Sequence, residues 1–196
     1  TPNSNRPREG RVSNKSLYTL EAPTCLKEIL QRFEPISLEK LKSRAALMDR
    51  RDNKYILSTN EVIRFFNRAE SDFYILEIDS KRQFHYLSTY YDSPNLGTHQ
   101  DHNQGRRRRI KLRHRHYIDS GLHYFEIKLK GFRNLTHKFR TPLIPEKLPA
   151  TGLNPRLKDF IFDTLAHHYD PDFAKEWVSH ISPSISVGYH RITLVS

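Results

Sequence analysis

The stretch RRRRIKLRHRHY, residues 106–117, decides how this chain is interpreted. With the two-residue period of a β-strand, the odd positions from 107 to 115 are all basic. The even positions from 110 to 116 are Ile, Leu, His and His. A strand with one cationic face carries repulsion between its own side chains, which an anion relieves. The pattern therefore predicts a strand that faces a polyanion, whether phosphate chains, nucleotides or nucleic acid.

The composition agrees with this interpretation. The chain has 196 residues, 36% of them hydrophobic, and a formal charge of +11, which suits one basic globular domain. The alternative is that the surplus of Lys and Arg only aids solubility, but the surplus is concentrated rather than spread. Cys25 is the one cysteine in the sequence, so neither a disulfide framework nor a Cys-based zinc site can form within the chain.

Localisation is inferred from hydropathy and cysteine usage. The sequence has no uninterrupted apolar run of about 18 residues, the length that indicates a membrane-spanning helix, and no visible signal peptide. A single cysteine suits a reducing compartment. We therefore expect a cytoplasmic protein, with any membrane association provided by a partner.

The periodic segments predict an α+β fold with mostly antiparallel pairing. Residues 1–22 are expected to be disordered, and residues 23–196 to form one domain. Helices are expected at 24–33, at 37–48, from the capping box Ser58-Thr59-Asn60-Glu61 to about Arg68, and after Asn154-Pro155 and Asp170-Pro171. Strands are expected at 53–57, 73–78, 84–91, 106–117, 122–130, 136–142 and 184–195, with a polar loop at 98–104.

Several of these strands place charged residues opposite an apolar face. In an open sheet the charged face would be solvated, whereas in a closed barrel it would line a polar tunnel covered by helices. Sequence periodicity alone does not choose between the two. The density of arginine favours the antiparallel β-tunnel flanked by helices.

The strand at 122–130 adds Glu126, Lys128 and Lys130 to the charged side. Together with the basic strand they form a phosphate cradle, because Arg binds phosphate oxygens bidentately and Lys acts as a point charge. Glu126 is either a metal ligand or an orienter of Arg and Lys, or it forms a cross-strand salt bridge. Phosphoryl transfer usually needs Mg²⁺ or Mn²⁺, yet few inward carboxylates are available. The sequence contains neither a P-loop nor Gly-x-Gly-x-x-Gly, which disfavours a glycine-cradled nucleotide.

Three motifs resemble the VTC domain, the polyphosphate polymerase domain of the vacuolar transporter chaperone. They are Tyr90-Tyr91-Asp92-Ser93-Pro94, the basic strand from Gly105 to Tyr117, and Phe125-Glu126-Ile127-Lys128-Leu129-Lys130. Two flanking segments agree: 52–57, which resembles the family's first tunnel strand, and 183–191, which resembles its Tyr-x-Arg strand. The matches span about residues 44–195. The family belongs to the triphosphate tunnel metalloenzymes.

The resemblance implies an antiparallel tunnel that transfers the ATP γ-phosphate to a polyphosphate chain. It also implies Mn²⁺ or Mg²⁺ as cofactor, ATP and polyphosphate as partners, and a membrane-protein partner encoded elsewhere. Carried over to this sequence, the candidate catalytic residues are Arg113, Arg115, Lys128 and Arg191. The phosphate-binding set contains these four with Lys54, and Arg109, Lys111 and Lys130 are added because they share the strand faces. Glu126 is the candidate metal ligand.

Two departures from the family pattern keep alternatives open. The family continues beyond Tyr-x-Arg into strands that supply a metal-binding Glu and more Lys, whereas this sequence ends at Ser196, so we expect a tunnel that is incomplete at its C-terminus. The segment at 52–57 lacks the Glu-x-Glu-x-Lys of CYTH enzymes, which argues against a CYTH phosphatase or cyclase. The alternatives are a tunnel triphosphatase that hydrolyses tripolyphosphate or nucleoside triphosphates, and a non-catalytic polyanion-binding module. Nucleic acid is disfavoured because no aromatic residue interrupts the basic strand before Tyr117.

Overall fold

The computed structural model describes residues 24–45, 53–130, 135–144 and 153–196. They form two compact units: the described residues up to Arg82 together with Ile192–Ser196, and the segment Gln83–Arg191. The predicted disordered segment, residues 1–22, lies outside the described residues. Within the described parts of the chain, no helix has the length and hydropathy needed to cross a membrane.

The first unit combines short helices with a three-stranded sheet. Its elements are α1 (Thr24–Leu30), β1 (Glu34–Ile36), α2 (Leu38–Ala45), α3 (Thr59–Ala69), β2 (Tyr74–Leu76) and, near the end of the chain, β8 (Leu194–Val195). Strand β2 lies in the middle, parallel to β1 and antiparallel to β8. Apolar burial holds the unit together, through a core of Ile29, Leu30, Phe33, Phe66, Ala69 and Ile75.

Hydrogen bonds confirm two of the predicted helix starts in this unit, at Ser37 and at Ser58. Ser58 Oγ accepts a hydrogen bond from the Glu61 amide at 3.4 Å, and Glu61 Oε2 accepts one from the Ser58 amide at 2.7 Å. Ser37 Oγ accepts from the Lys40 amide at 3.3 Å. These side chains satisfy amides that have no partner within the first helical turn, so the local sequence alone locates the helix starts.

The predicted strand at 53–57 is wrong. Residues 53–58 pair with no strand in the described part of the chain, and Tyr55 and Ile56 are 79% and 102% exposed. The prediction rested on β-prone residue types, which form a strand only where a neighbouring strand and a buried face are present. The segment that does pair is β1, whose Ile36 is buried.

The second unit is built on an antiparallel five-stranded sheet, which confirms the α+β prediction. Its strands are β3 (Phe84–Asp92), β4 (Arg109–Tyr117), β5 (Leu122–Lys130), β6 (Thr136–Leu143) and β7 (Ser182–Arg191). They lie in the order β6-β5-β4-β3-β7. In the described residues β6 and β7 are edges that do not pair with each other, so the sheet is open there and does not show the closed tunnel that arginine density favoured. Closure of a barrel requires those edges to be bonded through strands.

One face of this sheet is covered by two helices. Ile110, Leu112, Phe125, Ile127 and Leu129 are buried against apolar residues of α5 (Pro155–His168) and α6 (Pro171–His180). Both helices begin as predicted, because Asn154 Oδ1 accepts from the Leu157 amide at 2.9 Å and Asp170 Oδ1 from the Phe173 amide at 2.7 Å. Since side chains alternate along a strand, the other face receives the remaining residues of β4 and β5.

The basic strand begins at Arg109 rather than at 106, because a helix precedes it. Residues predicted as a polar loop form α4 (Gly97–Asn103). The chain leaves this helix through Gly105, with φ of 66°, and the Arg106 amide donates to the Asp101 carbonyl at 3.0 Å. Arg106 and Arg108 then form ion pairs with Asp101 and Asp170. Arg106 and Arg108 therefore pair with an aspartate of α4 and with the N-cap aspartate of α6 and do not belong to the strand.

The predicted last strand, 184–195, is two strands. β7 ends at Arg191, and β8 begins at Leu194 and pairs with β2 in the first unit. Ile185 and Val187 of β7 are 59% and 40% exposed, which suits a strand that has one neighbouring strand, β3, among the described residues.

Asp92, in the Tyr-Tyr-Asp-Ser-Pro motif, holds the start of α4. Its carboxylate accepts from the amides of Ser93 at 2.8 Å, Thr98 at 2.9 Å and His99 at 3.1 Å. It also accepts from the Thr98 hydroxyl at 2.7 Å, and Asp92 itself is buried. A carboxylate that satisfies several amides at a helix start stabilises the local fold.

We expect Asp92→Ala to lower the free energy of unfolding by about 2 kcal/mol, because it leaves buried amides without an acceptor. Urea denaturation would measure the loss. Asp163→Ala, at an exposed site on α5, is the matched control. An effect of Asp92→Ala no larger than that of the control would show that the motif has no capping role.

Candidate functional site

The sheet face opposite α5 and α6 carries basic side chains from four strands. Cross-strand partners lie side by side, and the register places Glu126 between Arg113 and Arg140, and Lys128 between Lys111 and Lys138. We call this surface the basic face. Its basic members are Arg109, Lys111, Arg113, Arg115, Lys128, Lys130, Lys138, Arg140 and Arg191.

Glu126 lies at the centre of the basic face. It is 1% exposed. Its Oε2 accepts from Arg113 Nε at 2.6 Å and lies 3.8 Å from Arg115 Nη1. Its Oε1 forms an ion pair with Lys138 Nζ at 2.6 Å. One carboxylate therefore holds three cations that come from β4 and β6.

The ionisation of this cluster is coupled. Burial raises the pKa of Glu126, but Lys138 and then Arg113 and Arg115 more than offset it, so the pKa lies below its usual value. Burial also opposes the charge on Arg113, yet its hydrogen bonds to Tyr90 and Glu126 raise its pKa overall. The carboxylate and the guanidinium are thus both charged at neutral pH, and each keeps the other ionised.

Lys128 experiences the opposite balance. Its pKa is lowered by burial first and then by repulsion from Arg113, Lys138 and Arg115, with Glu126 acting in the other direction. The ammonium group therefore lies in a positive potential that Glu126 does not neutralise. A bound polyanion would relieve this repulsion, which is the electrostatic signature expected of an anion site.

The cluster does not fit a divalent metal at Glu126. The carboxylate oxygens are already engaged by Arg113, Arg115 and Lys138, and a cation placed there would meet three positive charges. Across the described residues, no three His, Cys, Asp or Glu side chains are arranged to hold a metal ion. The geometry favours the interpretation of Glu126 as a salt bridge that orients Arg and Lys.

The structure brings some of the sequence-predicted residues together and leaves others apart. Arg113, Arg115 and Lys128 surround Glu126, whereas Arg109 and Lys130 face each other at one end of the paired strands. Arg191 lies at the end of β7, opposite Phe84. Lys54 belongs to the first unit, in the exposed segment 53–58, and its role as a phosphate ligand stays a prediction.

Sequence reasoning missed Lys138 and Arg140. Both lie on β6, where the register sets them opposite Lys128 and Glu126. The signal was present, because Lys138 and Arg140 are two residues apart within a predicted strand and so share a face. The strand neighbour was not known from sequence, and only pairing with β5 places them on the basic face.

Histidines occupy the helix-facing side of the same strands. The His114 Nε2 and His123 Nδ1 atoms are 2.9 Å apart, and the His116 and His123 rings stack with centroids 3.9 Å apart. Burial, and then His123 and His116, lower the pKa of His114 to about 4. A neutral histidine at this position is part of the folded structure.

We expect stability to fall as the pH drops from about 6.5 to about 4, because the unfolded chain binds a proton at His114 that the folded chain excludes. Above this window His114 contributes no pH dependence. The loss, discounted for partial exposure, is on the order of 2 kcal/mol. Urea denaturation at several pH values gives the free energy of unfolding as a function of pH. This free energy should fall less steeply with decreasing pH in His114→Asn than in wild type. The same pH dependence in both proteins would contradict this assignment.

Comparison with known proteins gives the family. The family model of the VTC domain matches residues 49–196, which is more than half of the chain and includes every strand of the basic face. A search of curated proteins found no match. The matched segment contains the Glu126 cluster, the Asp92 motif and the Tyr-x-Arg end of β7. The chain therefore belongs to the VTC domain family.

Proposed function

We propose that this chain transfers the γ-phosphate of ATP to a polyphosphate chain bound on the basic face. Membership of the VTC domain family gives the chain a role related to polyphosphate synthesis. The observation that carries the proposal is the cluster in which buried Glu126 fixes Arg113, Arg115 and Lys138 beside Lys128. These residue types, on neighbouring strands of one rigid sheet, suit a chain of phosphate groups.

The residues have separate tasks in this proposal. Arg113 and Arg115 are held in place before substrate arrives, so less order is lost when their guanidinium groups bind phosphate oxygens. Lys128 and Lys138 add positive charge where negative charge develops during transfer. The terminal phosphate of the polyphosphate chain attacks the γ-phosphoryl group of ATP, and ADP leaves. The protein supplies position and charge and no nucleophile.

Mn²⁺ or Mg²⁺ enters this proposal as part of the substrate, as the metal complex of ATP. The described residues supply no set of carboxylates for a resident ion, and the positive potential around Glu126 disfavours one there. Phosphate oxygens are ligands that both cations prefer. We therefore assign no protein ligand to the metal.

A binding module is the second candidate, and one observation favours it. The sheet is open across the described residues, so water reaches the basic face, and a face of this kind binds polyphosphate without excluding solvent from a transferring group. The polymerase and the binding module would both bind polyphosphate through the Glu126 cluster, but only the polymerase would transfer phosphate from ATP.

Product analysis separates the candidates. The protein is incubated with ATP and Mn²⁺, and the products are resolved by gel electrophoresis and a phosphate assay. A ladder of long polyphosphate is the expected result. Orthophosphate without a ladder would replace the proposal with a triphosphatase. No turnover, with retained binding of tripolyphosphate, would replace it with a binding module.

A further inference from the structure

Four of the tyrosines on the basic face contact one another beside the group of Arg113, Arg115 and Lys138 around Glu126, which we call the arginine cluster. The register aligns Tyr189, Tyr86 and Tyr117 across β7, β3 and β4, and puts Tyr124 opposite Arg115. The Tyr86 and Tyr189 rings are stacked, with centroids 5.3 Å apart and planes 8° apart. Tyr117 meets Tyr86 edge-on at 5.0 Å and Tyr124 at 5.8 Å. The result is a continuous aromatic patch next to the cationic residues of the basic face.

The patch is coupled to the cationic residues by contact. Arg115 Cζ lies 5.5 Å from the centre of the Tyr86 ring, and Arg140 Cζ lies 4.9 Å from the centre of the Tyr124 ring. Cation–π contacts of this kind hold rings and guanidinium groups in fixed relative positions. The pKa of Tyr86 is raised by burial, although Arg191 and Arg115 act in the other direction. The phenol therefore stays neutral and does not repel an anion.

Tyr189 lies at the edge of the patch, on β7. Within the described residues, Tyr86 is the ring that stacks on it. Among the described residues its strand, β7, is an edge strand of the sheet, and Tyr189 is partly exposed. A flat side chain that is backed by a parallel ring and partly exposed at a sheet edge suits stacking with a planar group.

We propose that the Tyr189–Tyr86 stack binds the base of a nucleoside triphosphate whose phosphates lie on the arginine cluster. This inference rests on the proposed function and adds an orientation for the nucleotide. Tyr189 lies two strands across and two residues along the sheet from Arg115, a separation of about 12 Å, which the ribose and an extended triphosphate bridge. The surface then matches the two chemical halves of the ligand, a planar base and a polyanion. Polyphosphate, which has no base, uses the cationic half alone.

Equilibrium binding tests the inference independently of turnover. The dissociation constants of ATP and of tripolyphosphate are measured by calorimetry for wild type, Tyr189→Leu and Tyr189→Phe. For Tyr189→Leu we expect ATP affinity to fall about 5- to 100-fold, the usual range for a lost base stack. We also expect tripolyphosphate affinity to stay within about twofold of wild type. Tyr189→Phe keeps the ring and should bind both ligands as wild type does.

Other outcomes overturn the inference in identifiable ways. Equal losses for ATP and tripolyphosphate in both variants would make the Tyr189 hydroxyl a phosphate donor instead. No loss of ATP affinity in Tyr189→Leu would show that the base lies elsewhere. If wild type binds both ligands and Tyr189→Leu keeps its ATP affinity, this inference alone is overturned. A wild type that binds neither ligand would overturn the proposed function as well.

Discussion

Glu126→Gln should lower the free energy of unfolding by about 3 kcal/mol, because it removes the charge that compensates a buried guanidinium. Arg113 donates to Glu126 at 2.6 Å and its side chain is 14% exposed, so it cannot recover full solvation after the change. Lys138 loses its ion-pair partner at the same time. Urea denaturation at neutral pH measures the loss.

The pH dependence gives this prediction a second readout. The pKa of Glu126 is lowered in the folded state, so its contribution is present above the ordinary value of 4.5 and is lost as the pH falls. The variant should therefore be less sensitive to acid below that value than wild type. Glu176→Gln on α6, at an exposed position, is the matched control. Equal free energies of unfolding in the two variants would show that the Glu126 cluster does not stabilise the fold.

Lys128→Ala should have opposite effects on stability and on binding. Burial, and then neighbouring cations, lower the pKa of Lys128, so its removal relieves both the burial of a charge and the repulsion, and should leave the free energy of unfolding unchanged or slightly higher. The affinity for tripolyphosphate should fall roughly 10- to 100-fold, because a charge-assisted contact to phosphate is lost. Denaturation and calorimetry on the same preparation give both numbers.

Lys158→Ala on α5 is the control for net charge. It removes the same charge from the helices that cover the other side of the sheet. We expect normal affinity for tripolyphosphate in that variant. Equal losses of affinity in the two variants would mean that binding depends on overall charge rather than on the basic face.

The sequence predicted the sheet well because strand patterns are local. Residue types alone distinguish the two faces of β4 and β5, because polar and apolar residues alternate along each strand. The structure buries the apolar side of this pattern, at Ile110, Leu112, Ile127 and Leu129. Capping residues located the helix starts for the same reason. The motifs that resemble the VTC domain lie at strands β3, β4, β5 and β7, in the same order along the chain.

Features that depend on distant partners were not predictable. The segment 53–58 has strand-forming residues but no neighbouring strand among the residues that the structure describes. Lys138 and Arg140 join the basic face only because β6 pairs with β5. The residues that pair with Glu126 could not be identified before the register of β4, β5 and β6 was known. Helix α4 was missed because its sequence is polar and its start is held by Asp92, a residue of the preceding strand. Pairing and long-range capping are set by tertiary structure, which overrides local preference.

Polyphosphate synthesis by wild type, Lys128→Ala and Lys158→Ala tests the central claim most directly. Each protein is incubated with ATP and Mn²⁺, and the products are resolved on a gel. We predict a long ladder for wild type and Lys158→Ala and no ladder for Lys128→Ala, with all three proteins folded by circular dichroism. A full ladder from Lys128→Ala would contradict the assignment of the reaction to the basic face.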